Sequence, residues 1–114
     1  MLLPARKELF NGGMTNAMAA LSRRAALTPF TYEPGPLPAN EVEIAVTHCG
    51  ICHSDVHLVD DDWGLSRYPL VPGHEVVGEV AAVGADVNRF SAGQRVGLGW
   101  QCGSCGVCAL CKAG

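Results

Sequence analysis

Four cysteines near the end of the chain restrict its possible folds more than any other feature of the sequence. They are Cys102, Cys105, Cys108 and Cys111, three residues apart, with Gly103 and Gly106 between them. Neighbouring cysteines at this spacing are difficult to join in strain-free disulfides, whereas their sulfur atoms can easily converge on one ion. The segment is therefore predicted to fold around a bound metal.

The start of the chain supports this interpretation because it carries no secretion signal. Residues 1–8 contain no apolar core of the kind that a signal peptide needs. In an unsecreted chain, six cysteines are more often metal ligands than disulfide partners. We expect a cytoplasmic protein with an N-terminal extension, 1–13, and one domain, 14–114, because Met14 resembles a natural start. The stretch 14–27 contains arginine but no acidic residue, so a transit peptide is the alternative.

Charge and composition exclude several classes of function. Eight Lys and Arg residues against eleven Asp and Glu residues give a net charge of −3, so no basic field is available to hold nucleic acid or an anionic membrane. No apolar run approaches the roughly 18 residues of a membrane span. Fourteen glycines and seven prolines, with 48% hydrophobic residues, favour a folded, turn-rich β domain.

Short strands separated by turns are predicted along most of the chain. Val42, Ile44 and Val46 alternate with polar or small residues, which is the period-two pattern of a strand with one buried and one wet face. Gly78 indicates a bulge or a close backbone contact within another strand, and Phe90 is predicted to fill the core. The further predicted strands are 17–21, 30–32, 76–83 and 95–98.

Reactive side chains are concentrated immediately after the strand that contains Val42. Cys52, together with His74 twenty-two residues later, would supply two of the three protein ligands of an open catalytic zinc site. Ser54 or Asp55 is predicted to cap a short helix, and Asp55 is placed to accept the far N–H of a ligating histidine. Ser54 and His57 can together pass a proton outward. The segment 60–62, three aspartates, is predicted to be solvated loop.

Several of these residues also have explanations that involve no metal. His48 fits a structural histidine, and Cys49 fits a small buried hydrophobic residue. Cys49 and Cys52 together could instead form a thioredoxin-like redox dithiol at a strand-to-helix corner. That alternative leaves His74 and the later cysteine run without a purpose.

Four segments of the chain occur in an order and at a spacing that point to one protein family. They are Cys49-Gly50-Ile51-Cys52-His53-Ser54-Asp55-Val56-His57, Tyr68-Pro69-Leu70-Val71-Pro72-Gly73-His74-Glu75-Val76-Val77-Gly78, Gly93-Gln94-Arg95-Val96 and Cys105-x-x-Cys108-x-x-Cys111. Together they resemble the zinc-dependent medium-chain alcohol dehydrogenases, in particular the cinnamyl-alcohol and general alcohol dehydrogenase branch. The resemblance covers residues 17–114 and only the first third of such an enzyme. It implies a mainly β fold, a GroES-like, partly open β-barrel with short helices.

The resemblance also implies roles for individual residues. Cys52 and His74 match the catalytic zinc ligands, and Glu75 matches the acidic residue beside the metal. Asp55 matches the carboxylate that lies behind the zinc ligands. Ser54 matches the hydroxyl that touches the substrate oxygen. His57 matches the outer member of the family's proton relay.

Further positions correspond to the family's cofactor and substrate contacts. His53 matches the residue that contacts the cofactor pyrophosphate. Trp63 and Trp100 fall where bulky side chains of the substrate pocket occur, with plain core packing as the alternative. The implied reaction is oxidation of a small alcohol to an aldehyde or ketone, with hydride transfer to NAD(P), in an intact enzyme expected to be a homo-oligomer.

The cysteine run has two possible registers under this resemblance. In the family's structural zinc site, Cys105, Cys108 and Cys111 are the first three ligands, and a fourth would lie near position 119. In the rival register, Cys102 joins them in a self-contained four-thiolate site. A non-enzymatic zinc-binding module built on this cluster is therefore the competing interpretation of the whole chain.

Three departures from the family pattern limit the expectation. The third catalytic ligand, the fourth structural ligand and a Gly-x-Gly-x-x-Gly nucleotide motif do not occur in the sequence. The 114 residues alone are therefore expected to be inactive. Gln94 stands where the family usually has Asp, which leaves one turn contact in doubt.

Overall fold

The computed structural model describes residues 13–101 and 103–114, so most of the predicted extension 1–13, and all of Cys102, lie outside the described residues. Two sheets and two short helices form from this part of the chain. The elements are β1 (Thr15–Ala19), β2 (Thr28–Tyr32), β3 (Val42–Gly50), α1 (His53–Asp60), β4 (Glu75–Val83), β5 (Arg95–Leu98) and α2 (Ala109–Ala113). All the predicted strands are present, with ends that differ by a few residues.

The first sheet is a two-stranded antiparallel ribbon. β1 and β2 pair from Thr15 opposite Tyr32 to Ala19 opposite Thr28. A bridge between Ala20 and Leu70 ties this ribbon to the segment that leads into β4. The ribbon therefore anchors the approach to His74.

The second sheet places the candidate site residues beside one another. Its strands run in the order β3-β4-β5, and all pairs are antiparallel. Gly50 at the end of β3 lies opposite Glu75 at the start of β4. Since Cys52 and His74 come just beyond these paired residues, the register of the sheet brings two positions distant in sequence to the same edge.

The predicted alternation of buried and exposed residues along β3 is wrong. Residues 42–45 are all half-buried, and Val46 is 59% exposed. The strand is also irregular, because its pairing with β4 shifts between Glu43 and Ile44 and again between Val46 and His48.

Gly78 confirms the predicted close backbone contact in β4. A Cβ at this position would overlap the carbonyl oxygen of Ala45 on the neighbouring strand. The two strands can therefore approach this closely only where β4 carries no side chain.

The described residues bury little apolar surface. Their buried hydrophobic side chains are Ala19, Ala20 and Val80. Phe90 is 39% exposed and lines an open groove beside Val42 and Val96, so the prediction that it fills the core is wrong. The mainly β fold class with short helices is confirmed, and the described strands form open sheets and no closed barrel.

The turn before β5 keeps its contacts although Gln94 replaces the expected aspartate. The Ser91 N–H donates to Gln94 Oε1 at 3.3 Å. The Val80 N–H donates to the Gln94 carbonyl, and the Gly93 N–H donates to the Val80 carbonyl. Gln94 therefore supplies one side-chain acceptor and one backbone acceptor to this turn. Among the described helices, none is long and apolar enough to cross a membrane.

Candidate metal centres

Cys52 caps the helix that carries most of the candidate site residues. Its backbone is extended, and its Sγ accepts a hydrogen bond from the Ser54 N–H at 3.3 Å. Asp55 completes a capping box by accepting from the Cys52 N–H at 3.0 Å. The predicted cap, Ser54 or Asp55, is therefore wrong, because α1 starts directly after Cys52 and sulfur takes the acceptor role.

Cys52, Asp55 and His74 form the first candidate centre. Cys52 Sγ lies 3.2 Å from His74 Nε2, and His74 Nδ1 lies 3.1 Å from Asp55 Oδ1. Because an ionised carboxylate only accepts, His74 donates through Nδ1, and the lone pair of a neutral ring is left at Nε2. Asp55 is 7% exposed, and each of its oxygens accepts from one of the two other residues.

The donor set of this centre suits zinc. A thiolate and an imidazole bound to one tetrahedral Zn²⁺ have their S and N atoms about 3.5 Å apart, close to the separation found here. Both oxygens of Asp55 are already used in orienting Cys52 and His74, so its position is that of a supporting group behind the ligands. Two protein ligands on one side leave further coordination positions for other groups.

Glu75 follows His74 directly in the sequence, and Cys49 lies three residues before Cys52. The carboxylate of Glu75 occupies the space above Gly50, where a Cβ would overlap it. The group of potential ligand atoms found within 4.8 Å of one another contains Cys52, Asp55 and His74, without Glu75. The exposed Cys49 donates from Sγ to the Gly50 carbonyl at 3.4 Å. Both Cys49 and Cys52 are free thiols in the structure.

A histidine–aspartate pair extends from the centre along α1. His57 Nδ1 lies 2.7 Å from Asp62 Oδ2, and the ring of His53 lies edge-on to that of His57 at 4.8 Å. The hydrogen bond from His57 is the main cause that lowers the pKa of Asp62. Ser54 and His57 are three residues apart on α1, which places them on neighbouring positions of one helical face.

Asp62 is the residue that the sequence interpretation missed. It was predicted to be solvated, but the left-handed backbone of Asp61, with φ of 52°, ends the helix and turns the chain back toward His57. Aspartate is among the few residues that tolerate this conformation. The run of three aspartates after a predicted helix was therefore the available signal.

Trp63 and Trp100 form a chain of ring contacts between the imidazoles of His57 and His74. The ring of Trp63 lies 5.2 Å from His57 and 6.1 Å from Trp100. Trp100 lies edge-on to His74 at 4.8 Å. Trp63 is 47% exposed and Trp100 is 51% exposed, so neither is packed in a core. The aromatic side chains instead form an accessible wall beside the first centre.

Cys105, Cys108 and Cys111 form a second candidate centre in the last part of the chain. Cys108 Sγ lies 3.4 Å from Cys111 Sγ, which lies 3.7 Å from Cys105 Sγ. The backbone N–H of Cys108 donates to Cys105 Sγ, and that of Cys111 donates to Cys108 Sγ. Three convergent thiols suit a structural zinc site. Cys102, the extra ligand of the rival register, lies outside the described residues.

Backbone hydrogen bonds make one thiol of this second centre unusually acidic. The pKa of Cys105 is lowered from its usual 9.0 to about 7, chiefly by hydrogen bonds from the N–H of Val107 and then from that of Cys108. Side-chain contacts with Cys108 and Cys111 contribute smaller parts of the same lowering. This exposed cluster therefore holds a sulfur that ionises near neutral pH, which favours metal binding.

Comparisons with known proteins agree with this geometry. Residues 38–114 match the alcohol dehydrogenase GroES-like domain family. The chain is 55% identical over 101 residues to the aldehyde reductase AdhA of Synechocystis sp., covering 89% of the chain and 30% of that relative. Among solved structures, a cinnamyl alcohol dehydrogenase of Sorghum bicolor matches with a TM-score of 0.82 and 40% identity, over 90% of this chain and 29% of that one.

A second solved structure is similar in the same region. The CAD from Helicobacter pylori, complexed with NADP(H), matches with a TM-score of 0.82 and 33% identity, over 88% of this chain and 29% of that one. The chain thus spans less than a third of the length of each of these proteins.

Proposed function

The chain belongs to the alcohol dehydrogenase GroES-like domain family, and on that premise we propose that it is the zinc-binding domain of an NAD(P)-dependent alcohol dehydrogenase. The reaction is the oxidation of a small alcohol to an aldehyde or ketone, or its reverse. The observation that carries the proposal is the approach of Cys52 Sγ to His74 Nε2, with Asp55 behind both. Relatives named as an aldehyde reductase and as cinnamyl alcohol dehydrogenases support the substrate class.

Cys52 and His74 are the residues that would hold a catalytic zinc. When bound there, zinc acts as a Lewis acid that lowers the pKa of a hydroxyl group. Asp55 holds the His74 ring through Nδ1 and the Cys52 backbone through its N–H, so both ligand atoms stay aimed at one point. Glu75, at the start of β4, stays a proposed acidic neighbour of the metal.

The proton released from the alcohol is proposed to leave along α1. Ser54 accepts it from the substrate hydroxyl and passes it toward His57, three residues further along the helix. Asp62 accepts the Nδ1–H of His57, which leaves Nε2 of a neutral ring free to take a proton. Asp62 therefore fixes the tautomer in which His57 can act as a base.

Cofactor and substrate contacts are proposed for the remaining site residues. His53, which lies against His57, contacts the pyrophosphate of NAD(P). The wall formed by Trp63 and Trp100 contacts the apolar part of the alcohol, for which exposed aromatic surfaces are well suited. A solved relative complexed with NADP(H) supports the cofactor class.

The second cluster is proposed to be a structural zinc site. Cys105, Cys108 and Cys111 supply three thiolates, and the fourth ligand is a later cysteine or, in the rival register, Cys102. A zinc there orders the surrounding segment and takes no part in the reaction. We retain 14–114 as the proposed domain and 1–13 as the proposed extension.

The proposal is tested on the protein expressed from its full reading frame. Alcohol oxidation with NAD⁺ or NADP⁺ is measured before and after complete zinc removal, and in Cys52→Ser beside the matched control Cys49→Ser. We expect activity to be lost with zinc and with Cys52, and to survive in C49S. Activity that is unaffected by complete zinc removal would refute the proposal. The purified 114-residue chain is expected to show no turnover.

A further inference from the structure

Trp100 lies between the two candidate centres. Its ring is edge-on to the His74 ring, with centroids 4.8 Å apart and planes at 79°. The same residue lines an open cavity of about 530 Å³ whose walls also include Leu110 and Cys111. One side chain therefore contacts the His74 ring of the first centre and shares a cavity with a thiol-bearing residue of the second.

His74 needs more than its hydrogen bond to Asp55 to keep a fixed orientation. That bond holds Nδ1 at one point, about which the ring could still tilt and carry Nε2 away from Cys52. The Trp100 ring, in near-perpendicular contact with the His74 ring, stands in the way of such a tilt. Trp63 packs edge-on against Trp100 at 6.1 Å and supports it from another direction.

The position of Trp100 depends in turn on the segment that carries the second centre. Trp100 is 51% exposed, and part of its surroundings is the cavity wall containing Leu110 and Cys111. Leu110 is itself 85% exposed and Val107 is 73% exposed, so apolar burial contributes little to the fold of this segment. Segments of this kind take their structure from the bound metal.

We propose that Trp100 is a positioning residue for His74 and couples the metal affinity of the Cys52–His74 centre to metal binding at Cys105, Cys108 and Cys111. Metal at the three thiols fixes the wall around Cys111, the wall keeps Trp100 in place, and Trp100 keeps Nε2 of His74 facing Cys52. This inference rests on the proposed function in one respect, namely that a metal binds at Cys52 and His74.

The first test measures cobalt(II) affinity at the Cys52–His74 centre of the intact protein. Its absorption bands are isolated by subtracting the spectrum of Cys52→Ser. We expect Trp100→Leu to weaken this affinity about 3- to 10-fold, the range that corresponds to one edge-to-face aromatic contact, and to change the bands. Trp100→Phe, which keeps an aromatic edge, should restore most of the affinity. Equal affinities for W100L and the wild type would overturn the proposal.

The second test addresses the coupling. Cys108→Ser, which removes a thiol from the second centre, should weaken cobalt binding at the first centre, and adding W100L should weaken it no further. Multiplicative effects of the two substitutions would overturn the coupling. In C52S, zinc binding to the three thiols should shift tryptophan fluorescence, and W100F should remove that shift; a shift that persists unchanged in W100F would also overturn it.

These outcomes separate the inference from the proposed function. A protein in which C52S binds cobalt as the wild type does contradicts the proposed catalytic centre itself. If cobalt binding at the first centre is lost in C52S but has the wild-type affinity in W100L, only the proposed role of Trp100 is contradicted.

Discussion

The first candidate centre (the first cluster: Cys52, Asp55 and His74) and the second candidate centre (the second cluster: Cys105, Cys108 and Cys111) are both sets of potential metal ligands, but they are supported in different ways. Cys52 follows the end of β3 and His74 precedes the start of β4, at the same edge of the sheet, and the buried carboxylate of Asp55 holds both. Cys105 and Cys111 lie six residues apart in an exposed segment where backbone N–H groups bind the sulfurs. The comparison teaches that the first cluster is arranged by the fold, whereas the second has little besides a metal to arrange it.

Removal of metal should produce the largest difference in behaviour between the two clusters. On chelation, the amides of Cys108, Cys111 and Lys112 should exchange with solvent on the order of 100-fold faster, because their hydrogen bonds belong to a segment ordered by metal. The amides of β3 and β4 should change little. Hydrogen exchange followed by mass spectrometry measures both regions in one sample.

Two results would break this distinction. Equal acceleration in β4 and in α2 would mean that the first cluster also depends on metal for its fold. Unchanged exchange in α2 after verified zinc loss would mean that the second cluster is stable by itself.

Asp55→Ala should act directly on the first cluster. It removes the acceptor for the Cys52 N–H and for His74 Nδ1, so zinc affinity at that centre should fall about 10- to 100-fold. Loss of the capping box should also lower the free energy of unfolding by about 1–2 kcal/mol. Chelator competition and urea unfolding measure the two effects.

Asp55→Asn is the matched control for this prediction. Its single carbonyl oxygen can accept from one of the two partners, so its zinc affinity should lie between those of D55A and the wild type. A D55A protein with wild-type zinc affinity would show that Asp55 does not orient the ligands.

Gly78→Ala tests whether the sheet itself arranges the first cluster. The added methyl group would overlap the Ala45 carbonyl and push β3 away from β4, which should cost about 1–3 kcal/mol and weaken zinc binding at Cys52 and His74. Gly97→Ala is the control, because its Cβ would make only an ordinary contact of 3.8 Å with the Val76 carbonyl oxygen. Similar stability of the two variants would argue against a role for the close strand contact.

The sequence predicted those features that depend on spacing and residue chemistry. The convergence of Cys52 with His74 and the place of Asp55 behind them followed from ligand types and from the resemblance of the surrounding segments. Gly78 was recognisable because a glycine inside an apolar strand usually marks a close approach. Each of these features depends on the type of residue and on its position in the sequence, so the sequence is sufficient to predict it.

Features that depend on small backbone irregularities were not predictable. Neither the register shifts on the two sides of Val46 nor its exposed position has a marker such as proline or glycine between residues 42 and 47. Cys52 was missed as a helix cap because cysteine is not among the usual capping residues. The approach of Asp62 to His57 depends on a left-handed Asp61, which the sequence permits but does not require.

The smallest expected effect concerns the acidity of Cys105 in the metal-free protein. The Val107 N–H is the largest cause of its low pKa, so alkylation of this thiol should reach half its maximal rate near pH 7, and near 9.0 after unfolding in denaturant. Because the folded pKa is the lower one, the stabilisation from these hydrogen bonds is present above pH 9.0 and is lost as the pH falls through about 7.

The glycines beside Cys105 allow this acidity to be traced to the backbone. Gly106 has a φ of 69°, and the turn it makes directs the Val107 N–H back to the sulfur, so Gly106→Ala should move the alkylation midpoint toward 9.0. Gly103→Ala has open space for its methyl group and should leave the midpoint near 7. A midpoint that stays near 7 in G106A would mean that the neighbouring thiols, and not the backbone, control the ionisation of Cys105. The second cluster would then owe its acidity to the same kind of side-chain contacts that hold the first.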